Sequence, residues 1–244
     1  MKNTIFIALI AFSLSATAQK QISFPSKDAI SVVADLYASH DKSAPFIILF
    51  HQAGYSRGEY QEIAPKLNAM GFNCLAVDLR SGNAANGIEN LTTKNARSAG
   101  KPTKYVNTIP DIEAAIEYVK SNDLANEHPI IWGSSYSSSL VLKCASYTEV
   151  RGVLSFSPGE YFKNDGESGD FITSSVKNIK YPVFITSAKS EKGNWWKMYE
   201  SISSEKTYFL PESQGKHGSS ALWEKTNGNE EYWKAVTSFL SQFL

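Results

Sequence analysis

Short runs of uninterrupted apolar residues alternate along the chain with stretches whose apolar positions recur every three or four residues. Phe46–Phe50 (FIILF), Asn73–Asp78 (NCLAVD), Pro129–Trp132, Gly152–Phe156 (GVLSF) and Val183–Ser187 (VFITS) are apolar and β-rich, as expected of strands buried on both faces. Thr207–Leu210 (TYFL) reads as a last strand. Tyr60–Met70 places Ile63, Ala64, Leu67 and Met70 on one side of a helix that Gly71 ends. Pro110–Ser121 carries Ile112, Ala115, Ile116 and Val119 as an apolar stripe. Leu140–Tyr147, a short segment in Glu191–Ser201 and Glu230–Leu244 read as further helices. Strands alternating with helices predict an α/β fold with a mostly parallel sheet flanked by helices. Ile22–Ser26 and Ile30–Ala38 have only the Lys27-Asp28 turn between them, which predicts an antiparallel edge. Residues 80–107 are polar and rich in Gly, Asn and Ser; they read as a long loop of the kind that usually serves function.

The start of the chain stands apart from this pattern. Lys2 precedes the apolar run Thr4–Leu14, and Ala16-Thr17-Ala18 follows with small residues at the positions a signal peptidase reads. The expectation is a signal peptide over 1–18, cleaved after Ala18, and one folded domain over 19–244. The product would be secreted or periplasmic. The run is too short for comfortable bilayer spanning, and Gln19 offers no lipid attachment, so no stable membrane anchoring is expected after cleavage.

Composition narrows the classes further. The 24 basic and 24 acidic residues cancel, which argues against a nucleic-acid partner. Two cysteines are too few for a disulfide framework. Export permits a Cys74–Cys144 bond, but two buried free thiols are at least as well supported. There is no HExxH, CxxC, Walker-type or GxGxxG spacing, so neither a metal nor a cofactor is expected.

Candidate chemistry collects where strands end. Gly133-Ser134-Ser135-Tyr136-Ser137 joins a buried strand to a helix. A nucleophile elbow needs small residues two before and two after its nucleophile, because strand and helix close on each other there. Gly133 and Ser137 meet that need around Ser135, with serine in place of the usual last glycine. His51-Gln52-Ala53-Gly54 follows the FIILF strand. Backbone N–H groups of Ala53, or of Gln52 as second choice, and of Tyr136 are placed to hold an oxyanion. His51 reads as a core histidine that orders this loop. His217, on the Gly-flanked loop after the last strand, is the base that a serine nucleophile needs.

These segments, with VLSFSPGEYF, YPVFITSAKSE and GKHGSSAL, resemble an α/β-hydrolase of the dienelactone hydrolase-like group from about Phe46 to the C-terminus. The resemblance implies a Ser–acid–His triad on Ser135 and His217. It also implies an acid just after the VFITS strand, where Ser187 stands and Glu191 follows. Glu191 is the expected acid, Glu160 the runner-up, and Asp78 reads as structural. The expected partner is a small or medium carboxylic ester. A peptidase or thioesterase on the same residues, or a non-catalytic binding protein on this scaffold, are the other readings. Residues 80–107 and the Trp195-Trp196 pair are candidate pocket linings. The connection between Phe156 and Val183 has room for one helix and none for a large lid.

Overall fold

The structure is a computed structural model and describes residues 19–244. The expected signal peptide therefore lies outside the described residues. Among the described residues, eight strands form one sheet: β1 (Gln19–Pro25), β2 (Ser31–Tyr37), β3 (Phe46–Phe50), β4 (Asn73–Val77), β5 (Ile130–Ser134), β6 (Gly152–Phe156), β7 (Val183–Thr186) and β8 (Lys206–Phe209). Their order is β1-β2-β4-β3-β5-β6-β7-β8. The β1–β2 and β2–β4 pairings are antiparallel and all others are parallel. The antiparallel edge thus stands where two strands follow each other without a helix.

Among the described residues, six helices cover the sheet: α1 (Ile63–Ala69), α2 (Leu91–Ser98), α3 (Ile109–Ser121), α4 (Tyr136–Ala145), α5 (Lys192–Ser201) and α6 (Asn229–Leu240). Successive residues of a strand point to opposite faces, and β3 shows the result. Phe46, Ile48 and Phe50 pack with the apolar sides of α3, α4 and α5, whereas Ile47 and Leu49 pack with α1 and α6. Cys144 belongs to the first cluster and Cys74 to the second. Both are buried free thiols, and the sheet between them is why they do not pair.

Three expectations need correcting. Residues 80–107 are not a plain loop. They hold a two-residue hairpin, Ala84–Ala85 with Ile88–Glu89, and then α2. Asn90 caps α2 by accepting the Thr93 N–H at 2.8 Å, and Asp78 accepts the Leu91 N–H. Helix α4 starts at Tyr136, not Leu140, because serines that read as loop return their hydroxyls to carbonyls: Ser138 to Ser135, Ser139 to Gly159. The connection from β6 to β7 forms two 3-10 turns, Lys163–Asp165 and Val176–Asn178, rather than a helix. No described helix is long and apolar enough to cross a membrane.

Candidate active site

Ser135 lies between β5 and α4 with φ 58° and ψ −124°, in backbone space that L-residues rarely occupy. The turn is sharp because strand and helix touch. A Cβ on Gly133 would come within 2.5 Å of the backbone of Ser137 and Ser138. Ser137 does more than stay small. Its Oγ accepts the Ser134 N–H at 2.9 Å and lies 2.8 Å from the Phe50 carbonyl, tying the elbow to the end of β3. Ser135 itself is 7% exposed.

The loop after β3 is held from below by His51, which is fully buried. Its Nε2 accepts the Leu79 N–H at 2.9 Å. Nδ1–H therefore donates to the Gln52 carbonyl at 2.8 Å. Burial holds the imidazole below its ordinary pKa, so it stays neutral. With the carbonyl of the Gln52–Ala53 peptide fixed on one side, the planar trans amide sends the Ala53 N–H to the other. Among the described residues neither the Ala53 nor the Tyr136 N–H has an acceptor within the protein. Tyr136 opens α4, so its N–H has no helical partner. The Gln52 N–H, the second-choice donor, is already taken by Glu59 Oε2 at 2.7 Å.

On the other side, β7 leads into a 3-10 turn, Lys189–Glu191, and the loop after β8 carries His217. His217 Nδ1 donates to Glu191 Oε1 at 2.6 Å, which leaves Nε2 free to accept a proton. Glu191 Oε2 also accepts the Ala188 N–H at 3.2 Å. Burial pushes the Glu191 carboxyl up, but hydrogen bonds from His217 and Ser157 outweigh it and leave the group below its ordinary value. Ser157, with φ 57°, also accepts the Gly218 N–H at 2.9 Å. Gly218 is required here: its φ is +70°, and a Cβ would strike Gln52 Oε1 and Ser134 Oγ at 2.6 Å. The Ser219 N–H donates to Ser134 Oγ at 2.8 Å. The histidine loop is thereby pressed onto the residue before Ser135. His217 spends its ring hydrogen bond on Glu191, and none joins it to Ser135 Oγ. Such pairs often tighten only once substrate is bound.

The runner-up acid is occupied elsewhere: Glu160 accepts the Ile172 and Thr173 N–H groups and the Thr173 hydroxyl. Asp78 pairs with Arg57 inside the core, at 2.7 Å. Trp195 is fully buried and donates to Ser187 Oγ at 2.8 Å, under the acid loop. Trp196 belongs to a surface cluster with Tyr199 and Tyr208, beneath Lys192. Both rings meet Tyr199 and Tyr208, Trp195 from the buried side and Trp196 from the surface. Sequence reasoning missed Glu59, a fully buried carboxyl that touches both the Gln52 loop and Ser134. Among the described residues no group of three or more His, Cys, Asp or Glu side chains converges as metal ligands.

Comparisons with known proteins agree with this architecture. The model of the Dienelactone hydrolase family matches residues 33–195. No curated protein matches the sequence. Among solved structures, the chain is similar to a dienelactone hydrolase from Anabaena variabilis at a TM-score of 0.71 and 14% identity, covering 93% of this chain and 98% of that one. It is similar to an esterase from Pyrococcus furiosus at 0.70 and 15%, covering 93% of each chain. Acetyl xylan esterase 1 from Thermoanaerobacterium sp. gives 0.68 and 16%, covering 96% of this chain and 86% of that one.

Proposed function

Because the chain belongs to the dienelactone hydrolase family, we propose that it is an exported serine hydrolase of small or medium carboxylic esters. The observation that carries the reading is the Glu191–His217 hydrogen bond, 2.6 Å long, on a loop bonded to Ser134, the residue before the positive-φ Ser135 of a strand–helix turn. Ser135 Oγ attacks the ester carbonyl while His217 Nε2 takes its proton. The carbonyl oxygen becomes an oxyanion that the Ala53 and Tyr136 N–H groups receive. Collapse breaks the C–O bond, and the proton on Nε2 passes to the departing alkoxide. Water then attacks the acyl-enzyme by the same route, releasing the acid and restoring Ser135. Glu191 holds the imidazole with Nε2 inward and stabilises the imidazolium.

A fluorophosphonate probe tests this directly. Wild type is expected to label, and Ser135→Ala and His217→Ala are not. Equal labelling of Ser135→Ala would remove the nucleophile from the reading. Export is supported by the apolar run Thr4–Leu14 followed by Ala16-Thr17-Ala18. The exported product is expected to begin at Gln19, as intact mass would show.

A further inference from the structure

Glu59 lies on the 3-10 turn Arg57–Tyr60, between β3 and α1, and its side chain has no contact with solvent. A carboxyl so placed is costly unless every oxygen is bonded. Both are. Oε1 accepts the Ser134 hydroxyl at 2.7 Å, and Oε2 accepts the Gln52 N–H at 2.7 Å. Each partner is one residue from a group assigned to the chemistry: Ser134 precedes Ser135, and Gln52 precedes Ala53. Ser134 Oγ also accepts the Ser219 N–H, two residues beyond His217. The backbone of Glu59 is anchored as well, its carbonyl accepting Trp223 Nε1–H at 2.8 Å. Burial pushes the carboxyl up to about 7 although both hydrogen bonds pull the other way. An apolar side chain would fill this space without that cost.

We propose that Glu59 is a positioning residue, one carboxyl group that holds the Ala53 donor loop, the strand end bearing Ser135 and the loop bearing His217 in a common register. The proposal rests on the triad reading above. Its effect falls on the transition state. The Gln52 N–H and Ser134 O–H both aim at the carboxyl, and they fix the segment whose next N–H meets the oxyanion. Displacing such a donor raises the barrier without weakening ground-state binding.

The test uses Glu59→Gln and Glu59→Leu in the full chain. An amide accepts on one side only and turns its NH2 toward the other donor; leucine accepts from neither. Measured on p-nitrophenyl acetate, Glu59→Leu is expected to lose about tenfold or more in kcat with KM within about twofold, and Glu59→Gln less. Affinity for a trifluoromethyl ketone is expected to fall in parallel with kcat. Hydrogen exchange is expected to accelerate together at residues 52–54 and 217–219, with far-UV circular dichroism unchanged. Wild-type kcat in the folded variants, or a change confined to KM, would overturn the proposal. Glu59→Gln is nearly isosteric and keeps the test open should Glu59→Leu fail to fold. If Ser135→Ala hydrolyses the ester as well as wild type, the triad reading falls on its own. The exchange data then decide about Glu59: coupled acceleration of the two loops supports it, and unchanged exchange overturns it.

Discussion

Two glutamates flank the proposed chemistry, and their surroundings drive them in opposite directions. Glu191 keeps 20% of its side chain exposed, meets an imidazole N–H, a hydroxyl and a backbone N–H, and lies below its ordinary pKa. Glu59 is sealed from solvent, bonded only to neutral donors, and lifted to about 7. A partner able to become a cation keeps Glu191 ionised against its burial. Hydrogen bonds from neutral donors, with His217 at longer range, do not offset the burial of Glu59. The contrast assigns the roles: a carboxylate suited to a transient imidazolium on one side, a polar tie within the core on the other.

The largest effect that tests this contrast is on rate. Glu191→Gln is expected to lower kcat by about 10³- to 10⁴-fold, because an amide favours the wrong imidazole tautomer and carries no charge. Glu160→Gln is expected to leave kcat near wild type in the same p-nitrophenyl assay, since Glu160 ties residues 172–173 and not His217. Reversed results would exchange the two residues' roles. Next is the pH dependence of stability. The folded state holds the Glu59 proton up to about 7, against an ordinary value of 4.5. Its contribution is therefore fully present below pH 4.5 and lost as pH rises toward 7. Glu191 works the other way: its contribution is present above 4.5 and lost as pH falls below its lowered folded value. Urea denaturation from pH 4 to 8 is expected to show a downward slope from 4.5 to 7 that flattens in Glu59→Gln. An unchanged slope would show that Glu59 does not titrate there. The smallest effect concerns the elbow. Ser137→Gly restores the usual residue but removes the link to the Phe50 carbonyl, at about 1 kcal/mol of unfolding free energy. A more stable Ser137→Gly would mean that the hydroxyl ties nothing.

Much of the fold could be read from the sequence because its strands are continuous apolar runs. FIILF and GVLSF fall on the strand boundaries observed. Residues 80–107 resisted because α2 owes little to its own apolar content. It is held by Asn90, by Asp78 and by Thr92, whose hydroxyl accepts the Val33 N–H from 59 positions away. Candidate site residues were named where chemistry constrains local sequence, as in the small residues around Ser135 and the glycines around His217. Glu59 was not. It sits three residues before Glu62, which is exposed, and nothing in the local pattern separates them. Only the meeting of three strand ends buries one and leaves the other in water.

Ser135 and Ser157, at the ends of the neighbouring strands β5 and β6, both hold positive φ, 58° and 57°. Each such residue costs about 1–3 kcal/mol of backbone strain, drawn from the stability of the whole fold. Selection for heat resistance and selection for turnover therefore meet at these two serines with opposite signs. Glycine at 157 would relax the backbone while giving up the hydroxyl that reaches Glu191 and the Gly218 N–H. A lineage that hardened this protein through residue 157 would gain in melting temperature and lose its hold on the histidine loop.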